Sequence, residues 1–437
     1  MTRKMKDSGI EWIGEIPEEW NLVKGKYLFK LRTTKGNTKN VQLLSPTQNF
    51  GVIPQELYEK LTGMRPVKLK SDADLQQMRT IYKGDYCISL RSFQGGFEYS
   101  KYDGVVSPAY QVFYPYKKIN STYYRYLFKN SSFIQKINSF TMSLRDGKNI
   151  AFSDFGNIDI PFPTFVEQNK IAKFLDKKIS EINQTSQTIQ QEIDALEEYR
   201  KSLITETVTK GLDKTVPMKD SGIEWIGEIP ENWKLEKLKF LGTVRNGLTY
   251  SPEDLSDDGT LVLRSSNIKK GKVYDADNVY VNMFVPQNLI LKENDLLICS
   301  RNGSAKLIGK NALINEKYAG SSFGAFMAVF RSKYNEYIHY VLNSNIFDYY
   351  IGSFLTSTIN QLTNRNLLNL SIPFPASKTE RQQIISFLKK KCSMIDFIID
   401  KKKEQISCLT QYKQSIVYEY VTGKKQVSEK EGVKNAQ

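Results

Sequence analysis

The chain is poor in the residues that most often carry chemistry. Its 437 residues include a single histidine, His339, and four cysteines, Cys87, Cys299, Cys392 and Cys408, with no Cys-x-x-Cys pair among them. That supply excludes a Cys/His zinc site, and the thiols are expected to be reduced and structural. No run of about 18 apolar residues offers a membrane-spanning helix. The basic start Met1-Thr2-Arg3-Lys4-Met5-Lys6 is not followed by the apolar stretch of a secretory leader, and no lipidation motif occurs. A cytoplasmic location is the expectation. Catalytic constellations are missing as well. There is no Asn-Pro-Pro-Tyr methyltransferase tetrapeptide, no Gly-x-Gly-x-x-Gly, and no Pro-Asp dipeptide from which a Pro-Asp…Glu-x-Lys nuclease site would begin. Gly303 with Gly309-Lys310 approaches a phosphate-binding loop, but the spacing is one residue too long and Asn311 replaces the Ser/Thr. His339, in Tyr337-Ile338-His339-Tyr340, has no neighbour suited to a triad or a metal and reads as a packed or surface histidine. With one histidine, general-base work would fall to carboxylates, and none forms a repeated pair. We therefore expect no catalytic residues, no metal and no cofactor on this chain.

What the chain does have is positive charge, aromatic side chains and a repeat. The formal charge of +15 favours a polyanionic partner. The 25 Tyr, 23 Phe and 4 Trp serve mainly as core, with some available to stack on bases. Met5 to Glu18 reads MKDSGIEWIGEIPE, and Met218 to Glu231 repeats all of it, with Trp20 and Trp233 in register behind. Each half closes on a second repeated block. Ile160-Pro161-Phe162-Pro163 matches Ile372-Pro373-Phe374-Pro375, Glu167-Gln168 matches Glu380-Arg381, Phe174-Leu175 matches Phe387-Leu388, and Tyr199-Arg200-Lys201-Ser202 matches Tyr412-Lys413-Gln414-Ser415. Between these frames, residues 21–160 and 234–371 share only scattered features, such as Asp85 six residues before Arg91 and Asp295 six before Arg301. A period this long is not that of a solenoid. It indicates duplicated domains, each a constant frame holding a variable insert, related by a pseudo-twofold axis.

After each Ile-Pro-Phe-Pro the chain lacks proline and is rich in helix formers, so helices are expected to start near Val166 and Thr379. In the first, Leu175, Ile182, Ile189, Leu196 and Leu203 recur every seven residues, with Ile179 and Ile193 on the alternate seam. In the second, Leu388, Ile395, Leu409 and Ile416 hold the equivalent positions, with Ile399 and Ile406 alternating and Lys402 as the exception. These heptads predict a coiled coil, and two such helices from one pseudo-symmetric chain are expected to pair antiparallel. Lys402 implies a local defect or a seam partly covered by another protein.

Charge is unevenly spread. Residues 21–160 carry 21 Lys+Arg against 10 Asp+Glu, residues 234–372 carry 16 against 12, and residues 165–210 carry 7 against 8. The inserts, not the first helix, are therefore the expected phosphate-gripping parts. Their polar, basic loops supply the candidate DNA contacts: Arg91, Ser92 and Gln94, then Arg145, Lys148 and Asn149 in the first half, with Arg301, Asn302 and Ser304, then Asn360, Asn364 and Arg365 in the second. Arg pairs bidentately with guanine, and Asn or Gln with adenine. β-like runs from Val105 to Phe113 and over Leu261-Val262-Leu263, with a helical stretch from Tyr123 to Ile137, make each insert a compact α/β domain.

The Gly-Ile-Glu-Trp-Ile-Gly-Glu-Ile-Pro-x-x-Trp block, the Ile-Pro-Phe-Pro boundary, the Glu-Gln helix start and the Tyr-Arg-Lys-Ser-Leu-Ile helix end resemble the specificity subunits of type I restriction–modification systems, across both halves. The resemblance implies two target recognition domains, each reading one half of a split duplex-DNA site, held by two long antiparallel helices that set the spacer. It implies a non-catalytic subunit on which two methyltransferase subunits and two restriction subunits assemble, with S-adenosylmethionine, ATP and Mg on those partners. The Ser-Arg-x-Gly-like loop of the family falls on Arg301 and on Arg91, although Arg91-Ser92-Phe93-Gln94 departs from the pattern. The expected partition is 1–164 for the first recognition domain, 165–211 for the first helix, 212–376 for the second domain, 377–423 for the second helix, and 424–437 for a disordered tail. Two alternatives stand beside this reading: a specificity partner for a fused nuclease–methyltransferase, and a non-DNA coiled-coil adaptor.

Overall fold

The structure is a computed structural model that describes residues 3–35, 41–64, 76–89, 96–139, 150–353 and 360–428. The end of the expected tail, 429–437, lies outside them. The chain divides into two units, Met1–Ile189 with Glu404–Gln437, and Gln190–Lys403. Each contains part of both long helices, Phe165–Lys210 and Lys378–Val421.

In the first unit the repeated block forms a hairpin, Met5–Asp7 against Glu15–Pro17. Strand Asn21–Lys24 then pairs antiparallel with Asp159–Phe162. The Ile-Pro-Phe-Pro segment is therefore the strand that returns the insert to its frame. The insert's main sheet orders Phe29–Leu31, Tyr110–Pro115, Tyr86–Ser89 and Glu98–Tyr99, all antiparallel. The expected continuous run from Val105 is two strands, Gly104–Val106 and Tyr110–Pro115. The expected helix 123–137 is two helices, Ser121–Phe128 and Ser131–Ser139. The break is chemical: the Asn130 side chain accepts from the backbone N–H of Ser132 at 2.9 Å and caps the second helix. Aromatics fill the core. Phe29, Tyr86, Phe97, Phe113, Phe128, Phe133 and Phe155 are all buried, with many neighbouring rings edge-on, as in Phe29–Phe113 at 5.6 Å and 84°.

The second unit repeats this plan. The hairpin is Met218–Asp220 with Glu228–Pro230, and Lys234–Lys237 pairs with Ser371–Phe374. Its main sheet orders Thr243–Asn246, Met327–Arg331, Leu296–Cys299 and Asn311–Leu313. A second four-stranded sheet joins Leu255–Ser256, Tyr280–Val281, Thr260–Leu263 and Ser322–Phe323, the last pair parallel. This core is mainly aliphatic where the first is rich in aromatics: Leu296, Ile298, Ile338, Val341, Ile346 and Leu367 pack with fewer rings, among them Trp233, Phe330 and Tyr337.

Both helices begin one residue before the expected starts, and for the same reason. Thr164 Oγ1 accepts from the Glu167 N–H at 3.3 Å, and Ser377 Oγ from the Glu380 N–H at 3.3 Å. In a capping box that Glu would reach back to the cap. Here it accepts instead from tryptophan: Trp20 Nε1–H to Glu167 Oε2 at 2.8 Å, and Trp233 Nε1–H to Glu380 Oε1 at 2.9 Å. The next residue also keeps its task while changing identity, for Gln168 donates to the Pro163 carbonyl at 2.9 Å and Arg381 to that of Pro375 at 2.5 Å. Each helix ends on a left-handed glycine, Gly211 (φ +71°) and Gly423 (φ +77°). A Cβ on Gly423 would lie 2.5 Å from Pro17 Cδ, so only glycine fits there.

The heptad seam is real. Leu175, Ile179 and Ile182 are buried, Ile189 and Leu409 are half-buried, and Ile416 is buried in the first unit. In the second, Leu388, Ile395, Ile399 and Ile193 are buried, with Leu196 and Leu203 half-buried. Contacts between the helical segments run antiparallel within each unit. In the first, the rings of Phe174 and Tyr420 lie 4.4 Å apart, and Lys413 Nζ donates to Asn183 Oδ1 at 2.9 Å. In the second, Glu192 meets Lys402 at 2.6 Å and Arg200 meets Asp396 at 3.2 Å. Lys402 is thus no defect, because its half-buried stem lies in the seam while its ammonium reaches a glutamate on the facing helix.

Candidate nucleic-acid interface

Arg91, Ser92, Gln94, Arg145, Lys148 and Asn149 lie outside the described residues. The candidates of the second unit can be placed. Arg301 follows strand Leu296–Cys299 and is exposed; its backbone N–H donates to the Phe326 carbonyl at 3.0 Å and it forms an isolated bridge with Gln361. The Asn302 side chain organises the turn, accepting from the Ser304 N–H at 3.0 Å and donating to Ser265 Oγ at 3.2 Å. Asn360 donates to the Gly303 carbonyl at 3.2 Å. The geometry therefore brings Asn360 across 57 residues to the Arg301, Asn302 and Ser304 turn, making one loop cluster. Asn364 and Arg365 start the separate short helix Asn364–Asn369, capped by Thr363 Oγ1, and no described contact ties them to that cluster.

Arg301 and Asn302 line a cleft of about 600 Å³ together with residues that sequence reasoning passed over, among them Thr249, Tyr250, Arg264, Ser265 and Phe326. The Arg264 turn is held from beneath. Asn267, buried, accepts from the Arg264 N–H at 2.9 Å through Oδ1 and donates through Nδ2 to the Ala276 carbonyl at 2.7 Å and to Asn278 Oδ1 at 3.1 Å. Lys310 Nζ donates to the Ser265 carbonyl at 3.1 Å, and burial holds its pKa below the usual lysine range. The cleft wall is thus built of paired polar groups. Gly309, one of the residues resembling a phosphate loop, lies outside this cleft and is glycine for a steric reason: a Cβ there would come within 2.5 Å of Ile351 Cδ1.

The repeated aspartates are each held by an arginine from elsewhere in their own insert. Asp85, 4% exposed, is gripped by Arg32 at 2.7 and 3.0 Å, and burial raises its pKa in spite of that partner. Asp295, 2% exposed, is gripped by Arg331 at 2.8 and 2.5 Å. Each also caps its own turn, accepting from the N–H of Tyr82 or Lys292. The Asp-x5-Arg spacing is therefore structural at its first residue. His339 is buried against Asn311, whose Oδ1 lies 2.9 Å from Nδ1, and burial pushes its pKa down to about 4. Cys87, Cys299 and Cys392 are buried free thiols, whereas Cys408 is exposed and so does not fit the expected structural role. Among the described residues, no group of three or more His, Cys, Asp or Glu could hold a metal, and no helix is long and apolar enough to cross a membrane.

The arrangement defines a duplicated α/β protein in which a constant frame of hairpin, strand pair and paired helical segments carries two different inserts. Its affiliation follows from comparison. The family model described as type I restriction modification DNA specificity domain matches residues 17–195 and again 230–407, and the chain belongs to that family. It is 27% identical over 304 residues to the type I restriction enzyme MjaVIII specificity subunit of Methanocaldococcus jannaschii, covering 65% of this chain and 67% of that one. It is 26% identical over 211 residues to the type I restriction enzyme EcoKI specificity subunit of Escherichia coli K12, covering 45% and 44%. A chain solved in work on complex assembly and conformational transition of the type I R-M system shares the fold, with a TM-score of 0.69 at 15% identity over 93% of this chain and 98% of that one.

Proposed function

We propose that this chain is the subunit that selects the DNA target of a type I restriction–modification enzyme, reading a two-part site with one half assigned to each insert. It carries no reaction itself. Methyltransferase and restriction subunits, two of each, assemble on its frame and bring S-adenosylmethionine, ATP and Mg. The observation that carries the reading is the contrast between frame and insert. The tryptophan–glutamate bond, the helix caps and the hairpin pairing recur in both halves, while the inserts differ in core chemistry and loop composition. A frame held constant suits identical partner subunits, and divergent cationic inserts suit two unlike half-sites. Each half then contributes base contacts of roughly 1–3 kcal/mol apiece, and a stiff connection adds the two with little ordering cost. A helix of the first one's length spans roughly 60–70 Å, more than one turn of DNA at about 34 Å.

Methylome sequencing of a host expressing this chain with its methyltransferase tests the proposal. The expected result is one methylated motif of two defined parts separated by a fixed run of unspecified bases. A continuous motif, or none from an intact complex, overturns it. Steep loss of DNA binding between 50 and 200 mM salt separates it from a scaffold without affinity for DNA.

A further inference from the structure

We infer that Arg264 and Phe326 set the base preference of the second insert, Arg264 by pairing with a guanine edge in the major groove and Phe326 by apolar contact with the adjacent base pair. The inference rests on the DNA reading above and names the residues that would discriminate within it.

Three observations carry it. The first is an unspent guanidinium. Arg264 Nη2 donates to the Asp277 carbonyl at 2.5 Å, while its Nε is buried with no partner. Asp277 lines the same cleft yet forms no ion pair with it among the described residues. Its Nη groups meet only that one neutral acceptor, so a ligand in the cleft can take up the hydrogen bonds they leave unmade, while the buried Nε–H stays out of a ligand's reach. The anchored Nη2 fixes the plane of the fork, so Nη1 and the second Nη2 hydrogen remain for the O6/N7 pair of guanine, a planar bidentate acceptor.

The second is Phe326, 62% exposed on the rim of that cleft. Its side chain is free, but its backbone is not, because its carbonyl accepts from the N–H of Ser300 and of Arg301, each at 3.0 Å, and from Ser300 Oγ at 2.9 Å. A large apolar side chain presented on a fixed backbone beside two arginines fits a thymine methyl or the flank of a base pair better than it fits solvent. The third is support from below. The Asn267 bonds that fix the Arg264 turn, and the bond from Asn302 to Ser265, hold the cleft's two walls together before any ligand arrives.

The test compares wild type, Arg264→Lys and Phe326→Ala, each in the complete methyltransferase complex, in two assays. One is methylome sequencing. The other is binding to duplexes that vary one base pair at a time in the second half-site. Wild type is expected to prefer guanine at one position by roughly 5- to 150-fold, the range of one bidentate pair. Arg264→Lys should reduce that preference to threefold or less while the first half-site and spacer stay unchanged. Phe326→Ala should relax a neighbouring position in the same half, and an unchanged melting temperature confirms its fold. A second half-site unaltered in both variants overturns the inference, as does a loss of binding equal for all sequences. If wild type itself yields no two-part motif, the DNA reading fails first, and the two failures are distinguishable.

Discussion

Glu98 gives the sharpest physical test of the first unit. It lies on strand Glu98–Tyr99 beside Tyr86–Ser89 and is 8% exposed. Lys129 Nζ reaches its Oε1 at 2.6 Å, yet Oε2 is buried without a hydrogen bond. Desolvation pushes the pKa up to about 7 against the pull of Lys129. An unfolded glutamate titrates near pH 4.3. Between those values the folded protein binds a proton that the unfolded chain has released. Stability from this group is therefore greatest in acid, declines as pH rises from about 4.5 to about 7, and is flat above that. At about 1.4 kcal/mol per unit, the part of the window between pH 5 and pH 8 amounts to roughly 2–3 kcal/mol.

Glu98→Gln keeps an acceptor for Lys129 and removes the titration. The glutamine's own packing and its bond to Lys129 do not titrate across this window, so the difference in slope isolates the ionisation of Glu98. Urea unfolding followed by circular dichroism at pH 5 and pH 8 should show wild type losing more stability than the variant by that margin over the interval. Equal pH dependence in the two proteins would refute the claim that Glu98 is held protonated in neutral to acid solution.

The frame yields further expectations. Trp233→Phe strips Glu380 of its indole donor and should cost roughly 1–3 kcal/mol of second-unit stability; Trp20→Phe should cost less, because Glu167 keeps Arg3 at 2.7 Å. Urea midpoints compare them, and a larger loss for Trp20→Phe contradicts the account. Lys402→Leu should hold or raise second-unit stability by up to about 1 kcal/mol, since a partly exposed ion pair contributes little and the seam accepts leucine, whereas Lys402→Glu should lower it by setting like charges opposite Glu192. A lower midpoint for the leucine variant would show that the pair sets more than local register. Inserting four residues into both long helices should lengthen the spacer in the methylated motif and leave both half-sites intact; altered half-sites with an unchanged spacer would remove the helices from the measurement.

What could be read in the sequence was what repeats or recurs at a fixed interval. The hairpins, the closing Ile-Pro-Phe-Pro strands and the seam were legible because heptads and duplicated blocks depend on neighbours in sequence. The Thr-x-x-Glu and Ser-x-x-Glu capping signals were also present, at Thr164 and Ser377, and went unread. Contacts made by folding were not legible. Nothing near Asp85 announces Arg32, 53 residues away, and nothing near Arg301 announces Arg264 or Phe326. The break at Asn130 was hidden because apolar spacing continued through it, and side-chain capping overrode the periodicity.

The two aspartates show why the inserts could diverge without losing the fold. Asp85 and Asp295 occupy the same turn, and each must be neutralised because each is buried. In the first unit the cation is Arg32, just beyond the edge strand Phe29–Leu31; in the second it is Arg331, at the end of the neighbouring strand Met327–Arg331. The fold requires a guanidinium at that point in space and is indifferent to which strand supplies it. The Trp–Glu pair allows no such freedom, since donor, acceptor and helix cap are one connected unit, and it recurs unchanged. A contact that can be satisfied from several places lets sequence drift, while an interlocked one fixes it, so variation collects in the inserts and their loops, where a new set of side chains can meet a new set of bases.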